Sequence, residues 1–376
     1  MKLALAHDWL DRPVGGAERV ALEMASMWPH APMHTLLWDP ALYADRIDAA
    51  RVRPSWLQSL PGALRRRPKY LLPLIPSAVE QWGFSDYDVV LSSSCAFMKN
   101  LLTTPDTVHV CYCHSPMRFV WDYWPRYLDE QHLGPIRETA ARLMTSRIRE
   151  WDYVGVRRVD VWLANSRTTA TRLQKYYGVE AQVLYPGVDV TDFTPVDPRD
   201  KSDEWLCLAT LTPYKRVDLA IEAFNSSRRR LVVVGDGPDR ARLEGLAGPT
   251  ISFTGHLTDA ERARRLSQAR ALVFASEEDF GIAPVEAMAS GTPVVAYAAG
   301  GLRETVVDGV TGVFFAEQTA GALNAAVDAL EAARSTLRLE ALVEQAARFS
   351  VERFRHEIAG VVEAAASSGA RGGGPG

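Results

Sequence analysis

Nine short β-rich apolar runs punctuate the chain, each ending in small or polar residues: LALAH from Leu3, VVLSSS from Val89, VHVCYC from Val108, VDVWLANS from Val159, then WLCLAT from Trp205, LVVVGDG from Leu231, ISFTGH from Ile251, ALVFAS from Ala271 and PVVAYAAGG from Pro293. Their apolar residues are nearly continuous rather than alternating, the pattern of strands buried on both faces. Helical stretches lie between them. Val217, Ala220, Ile221 and Phe224 form one apolar stripe, and Leu323, Ala326, Val327 and Leu330 form another, both at i, i+3, i+4, i+7. This alternation predicts an α/β protein whose parallel sheets are built from βαβ units.

A chain of 376 residues exceeds one ordinary hydrophobic core, and the runs fall into two sets. Between the sets, residues 185–203 carry three prolines and many acids with no strand or helix period, and read as a linker. The expectation is therefore two doubly wound, Rossmann-like domains, 1–185 and 186–349, whose open carboxyl edges face one another across a ligand cleft. A helix over 350–366, with Phe354, Ile358, Val361 and Val362 on one face, is expected to pack back toward the first domain, and 367–376 reads as a flexible tail.

Forty-two basic against 46 acidic residues give a net charge of −4, so nothing draws the whole molecule to nucleic acid. Cys95, Cys111, Cys113 and Cys207 have neither disulfide-framework nor zinc-knuckle spacing, which points to a reduced, cytoplasmic setting. The N-terminal apolar stretch is broken by His7 and Asp8, short of a signal-peptide core, and no run of 18 apolar residues occurs.

The segment with the most chemistry is EEDFGIAPVEAMASGTPVV from Glu277. It follows a strand and opens a helix, with Pro284 where a first turn tolerates it. Glu278 lies in the loop and Glu286 lies in the helix. Gly281 permits close backbone approach, and the first amides, Ile282 and Ala283, point out of the helix start. Two carboxylates beside such amides suit a ligand that carries hydroxyls and phosphate. The alternative is that these acids only complement the helix dipole.

This pattern, E-x7-E with Phe280 and Gly281 inside it and SGTPVVAYAAGGLRETVVDGVTG behind it, resembles the retaining glycosyltransferases of family 4, which have the GT-B architecture. YKRVDLAIEAF, VVVGDGPDRARLE and ISFTGHLTD extend the resemblance over most of the second half. GGAERVALEMA, CYCHSPMRFVWDYW and ANSRTTATRL carry it more loosely through the first. The set is most similar to the bacterial O-antigen and exopolysaccharide mannosyltransferases.

The resemblance implies a metal-independent enzyme that moves a sugar from a nucleotide diphosphate sugar to a hydroxyl of a glycan, lipid-linked or small-molecule acceptor, with retention. GDP-mannose is the first donor it suggests and a UDP-hexose the second. It also implies that Glu286 holds ribose hydroxyls and Glu278 holds sugar hydroxyls. Backbone around Phe280, Gly281 and Ile282 would touch sugar and diphosphate, and Gly255, His256 and Leu257 would line the base. Lys215, with Arg216 beside it, matches the diphosphate lysine, where a fixed cation stabilises the charge left on the departing group. The family's frequent arginine five residues earlier is Thr210 here.

In the first half, Gly15 and Gly16 open a helix, so Gly16 is a candidate for close approach to the donor. His114, at the end of VHVCYC, resembles the histidine that contacts the donor sugar. Arg118, Trp121, Tyr123 and Trp124 are weaker acceptor candidates, since aromatic clusters more often fill cores. Asp86 and Asp88 imitate a metal-binding D-x-D but precede their strand, at the amino edge. Residues 64–76 mix cations with an aliphatic run and are a candidate for peripheral contact with anionic lipid, although proline spacing argues against one continuous helix. Rival readings are an epimerase or a sugar phosphorylase of the same architecture, or a non-catalytic nucleotide-sugar-binding subunit.

Overall fold

The computed structural model describes residues 1–124 and 134–369, and the chain forms two compact units, Met1–Leu184 together with the chain from Arg355 onward, and Tyr185–Phe354. The first unit holds seven parallel strands: β1 (Leu3–His7), β2 (Met33–Thr35), β3 (Val52–Pro54), β4 (Val89–Ser94), β5 (Val108–Cys113), β6 (Val161–Ala164) and β7 (Gln182–Val183), ordered β3-β2-β1-β4-β5-β6-β7. Its longer helices are α1 (Gly16–Met27), α2 (Pro135–Gly155) and α3 (Arg167–Tyr177). α3 shows how locally such elements are specified. Ser166 caps its start by accepting from the Thr169 amide at 3.0 Å, and Gly178 ends it at φ 70.

The second unit holds six parallel strands, β8 (Trp205–Leu208), β9 (Leu231–Val234), β10 (Ile251–Gly255), β11 (Leu272–Phe274), β12 (Val294–Tyr297) and β13 (Gly312–Phe315), ordered β10-β9-β8-β11-β12-β13. Around them lie α4 (Val217–Ser227), α5 (Arg240–Leu246), α6 (Asp259–Gln268), α7 (Ile282–Ala289), α8 (Ala320–Ala333) and α9 (Leu339–Ala347). Leu206, Leu208, Val232 and Val234 point into one apolar cluster, while Trp205, Cys207, Leu231 and Val233 point into another. Both faces of β8 and β9 are thus covered, which is why their sequences lack alternation. The stripes on α4 and α8 are buried in the second of these clusters. The final helix, α10 (Val351–Gly369), buries Phe354, Ile358 and Val362. It runs three residues into the stretch read as a tail, and 370–376 lie outside the described residues.

Two sequence expectations are corrected. Strands β2, β3, β7 and β13 carry no recognisable run, because they have only two to four residues at or near the sheet edges and include His34, Arg53, Gln182 and Gly312. Residues 185–203 are not a loose linker but pack within the second unit. Val188 and Phe193 enter its core, and the Lys201 ammonium donates to Ser267 O, Ser290 O and Thr292 Oγ1 at 2.8, 2.7 and 2.8 Å. Isolated apolar residues with no period can fill a core without announcing themselves in sequence.

Residues 64–76 are broken by Pro68, Pro73 and Pro76 into short helical pieces that bury Leu71 and Ile75 and leave Arg66, Arg67, Lys69 and Tyr70 exposed. Asp88 accepts from the Lys2 amide at 2.6 Å, a turn contact at the amino edge. No disulfide joins any of the four cysteines, and no helix among the described residues is long and apolar enough to cross a membrane.

Three buried histidines of the first unit make an acid-stability prediction. Burial pulls His34 and His109 down to about 4, and burial together with His7 pulls His114 to about 3. Below 6.5 the unfolded imidazoles take up protons that the folded ones refuse, so stability falls as pH drops from 6.5 toward 4. The urea midpoint is expected to decline through that window and to decline less steeply in a His109→Gln variant. A midpoint that stays flat from pH 6.5 to 4.5 contradicts this.

Candidate functional site

In the second sheet the strand order reverses between β8 and β11, and the segments leaving their carboxyl ends part there, the usual place for a ligand crevice in an open parallel sheet. β8 leads into the turn Pro213–Lys215, and β11 leads into Glu278. The two side chains meet across the switch point, with Lys215 Nζ 2.6 Å from Glu278 Oε1. Ser276 Oγ donates to the same oxygen at 2.9 Å. Burial opposes the charge on Lys215, but Glu278 and Tyr214 outweigh it and raise its pKa.

The backbone beneath Glu278 is fixed by a close approach. A side chain at Gly300, whose φ is 63, would meet the Glu278 carbonyl at 2.2 Å, and Gly301 N donates to that carbonyl at 2.8 Å. Gly281 caps α7 at φ 92, a left-handed conformation suited to glycine, and no side chain caps the helix start. Ile282 opens the helix, whereas the Phe280 ring packs against Tyr185 and Phe349 in the core, so only its backbone is available to a ligand.

Glu286 is buried in α7, 3.1 Å from Arg262 Nη2 of α6. Arg262 also holds Asp259 at 2.8 Å. β10 ends at Gly255 with φ 74. Next come exposed His256, Leu257 packed on the core, and Thr258, which caps α6 through a reciprocal pair with Glu261. The loop after Gly255 thus leads into the helix whose Arg262 holds the Glu286 carboxylate. Arg216 occupies a left-handed position at φ 51 and donates to Asp218 and Gln318, at 3.3 and 3.1 Å, and Thr210 is exposed.

The first sheet reverses between β1 and β4. His7 ends β1, Asp8 follows it, Ser93 lies on β4, and His114 follows β5. Asp8 is buried and accepts four consecutive amides, Cys95, Ala96, Phe97 and Met98, at 2.5 to 2.8 Å, which shapes the loop leaving β4. His114 Nε2 lies 2.8 Å from Ser93 Oγ, and His7 Nδ1 lies 3.1 Å from that oxygen. Gly16 opens α1, and the Glu18 carboxylate accepts from the Gly15 amide at 3.0 Å.

The acceptor candidates fare differently. Trp121 is committed to the fold: its Nε1 donates to Asp152 at 2.8 Å, Tyr176 stacks on it at 5.3 Å, and Arg149 lies over its ring. These partners favour the core-filling reading of the aromatic cluster over sugar stacking. Arg118 sits beside Asp122 at 3.4 Å and over Tyr123 at 5.9 Å. Residues 125–133, which continue this segment, lie outside the described residues.

Sequence reasoning did not find Ser276, Arg262, Gln318, Asp8, His7 or Ser93. Of these, Asp8, His7 and Ser93 had a usable signal, since all are polar residues at strand ends flanking a switch point.

Residues 14–192 match the family described as Glycosyltransferase Family 4, and residues 191–349 match Glycosyl transferases group 1. A Mycobacterium D-inositol 3-phosphate glycosyltransferase is 30% identical over 220 residues, covering 51% of this chain and 49% of that protein. A GDP-mannose-dependent alpha-(1-6)-phosphatidylinositol monomannoside mannosyltransferase from Mycolicibacterium smegmatis is 35% identical over 185 residues, covering 41% and 48%. The chain thus spans about half the length of the curated relatives it matches. Among solved structures, Anabaena HepE in complex with UDP-glucose superposes with a TM-score of 0.69 at 17% identity, over 96% of this chain and 99% of that one, a likeness of fold.

Proposed function

Because the chain belongs to the GT-B glycosyltransferases, with family matches that together run from residue 14 to 349, we propose that it transfers a hexose from a nucleotide diphosphate sugar to an acceptor hydroxyl with retention of anomeric configuration. The observation that carries this reading is the Lys215–Glu278 contact at the switch point, at the start of the helix that bears Glu286. Glu278 orients hydroxyls of the donor sugar, Glu286 holds the ribose, Gly255 to Leu257 line the base, and Lys215 with the α7 amides stabilises the diphosphate as it departs. A fixed ammonium in that place does the work of a metal, so the reaction proceeds without one. Its leaving phosphate oxygen takes the acceptor's proton on the face it vacates, and no covalent sugar intermediate on Glu278 is required.

GDP-mannose is the proposed donor, supported by the resemblance to mannosyltransferases and by the mycobacterial relative named for it. A UDP-hexose is the second choice, favoured by the fold likeness to a protein holding UDP-glucose. Exposed Arg66, Arg67, Lys69 and Tyr70 suit contact with anionic headgroups that carry a lipid-linked acceptor.

The test is a thermal-shift panel of nucleotide sugars followed by NMR of the product anomer. GDP-mannose at a hundred times its Kd is expected to stabilise the fold by about 2.7 kcal/mol, and the product is expected to keep the donor's anomeric configuration. Glu286→Gln is expected to raise the donor KM roughly 10-fold or more, with kcat little changed, because it weakens hydrogen bonds made equally in ground and transition states. Inverted product, or a donor that binds and is never transferred, defeats the reading.

A further inference from the structure

The first sheet's switch point holds a hydrogen-bonded chain whose proton positions follow from its partners. β1 and β4 pair with His7 opposite Ser93, and β5 runs along the other side of β4 to end one residue before His114. His7 Nδ1 lies 2.9 Å from the Ser93 carbonyl oxygen. A carbonyl only accepts, so this nitrogen carries the proton of the His7 ring, and the same N–H reaches Ser93 Oγ at 3.1 Å.

Ser93 is buried, and its hydroxyl proton has one acceptor among the described residues, His114 Nε2 at 2.8 Å. That nitrogen therefore accepts, and the proton of the His114 ring sits on Nδ1. Nδ1 makes no hydrogen bond within the described residues. Burial and the neighbouring His7 ring disfavour a second proton on His114, holding its pKa near 3.

We infer that His7 and Ser93 are positioning residues that hold His114 as a hydrogen-bond donor through Nδ1, available to an oxygen lone pair of a sugar substrate at the carboxyl edge of the first sheet. The inference rests on the transferase reading for the identity of that oxygen, and on hydrogen-bond geometry alone for the tautomer. With Nε2 filled by Ser93, His114 does not take the acceptor's proton. It can hold or polarise a sugar oxygen, and a ligand whose only free group there is a donor meets an N–H where it needs an acceptor.

Ring-nitrogen NMR of the full chain, labelled with 15N at histidine, tests this directly. At pH 7.5 wild-type His114 is expected to show a protonated Nδ1 and a bare Nε2. Ser93→Ala is expected to bring the two nitrogen shifts toward each other as the tautomers mix, while His7 keeps its Nδ1 proton through the backbone carbonyl. In the same variant kcat for sugar transfer is expected to fall about 10-fold with donor KM nearly unmoved. Ser93→Thr, which keeps the hydroxyl, is expected to restore both the ring signature and the rate.

A wild-type His114 protonated at Nε2 overturns the inference, and so does a Ser93→Ala spectrum identical to wild type. The wild-type spectrum decides the tautomer even where Ser93→Ala does not fold. If the spectra are as expected but His114→Ala transfers sugar at the wild-type rate, the sugar contact falls and only the buried hydrogen-bond chain stands.

Discussion

Lys215→Ala is expected to lower kcat for sugar transfer by about 10²- to 10³-fold, the scale on which losing one fixed charge-stabilising donor slows a reaction. The effect belongs in kcat because the diphosphate gains its extra negative charge only as the glycosidic bond breaks. A cation already in place therefore contributes more to the transition state than to the bound donor. Thr210 leaves no side-chain cation at the neighbouring position, and Arg216 is engaged with Asp218 and Gln318, so neither is arranged to substitute. The fold should survive. Glu278 keeps its hydrogen bond from Ser276, and both members of the pair retain some exposure, with side chains 16% and 19% accessible. Single-turnover kinetics beside a thermal melt separate the two effects. Near-normal kcat in a folded Lys215→Ala protein removes this lysine from the chemistry, whereas loss of rate together with a collapse in melting temperature makes its role structural.

The strands that cross the middle of each sheet were legible because burial on both faces imposes a continuous apolar run, as Trp205 to Leu208 and Leu231 to Val234 illustrate. The edge strands β3 and β7 were not, since Arg53 and Gln182 sit where a sheet needs only backbone pairing. The Glu278 and Glu286 segment was readable because a strand, a glycine and a helix start are local signals. Arg262 was opaque for the opposite reason, and Asp8, although its strand-end position was a usable signal, gave no hint of its partners. Arg262 meets Glu286 from a different helix, and Asp8 gathers the amides of residues nearly ninety positions away. Long-range pairing of charges leaves no periodic trace in sequence. Trp121 illustrates the limit from the other side: its residue type suited sugar stacking, and only its partners Asp152 and Tyr176 reveal that the fold already uses it.

Lys99→Met is expected to destabilise the protein by about 3–5 kcal/mol, because it orphans a carboxylate in the interior of the first unit. Lys99 and Asp152 have fully buried side chains, with Nζ 2.6 Å from Oδ1. Burial works against the lysine's charge, but Asp152 offsets it and raises the pKa. The other carboxylate oxygen accepts from Trp121 Nε1 at 2.8 Å and from the Tyr177 hydroxyl at 2.7 Å, so Asp152 ties together α2, α3 and the loop after β4. Space around it is equally committed, since a side chain at Gly155 would meet Asn100 Oδ1 at 1.7 Å. Urea denaturation measures the loss. The double variant Lys99→Met, Asp152→Leu is expected to recover part of it, because two apolar residues of similar size carry no desolvated charge, while Trp121 Nε1 and the Tyr177 hydroxyl lose their acceptor. A loss below about 1 kcal/mol in Lys99→Met would show that Asp152 is satisfied by its other donors. Lys99 directly follows the four amides that hold Asp8 and also donates to Ala96 O. The partly recovered double variant should therefore still show faster amide exchange at Cys95 to Met98, separating the pair's effect on global stability from its hold on the loop beside His7.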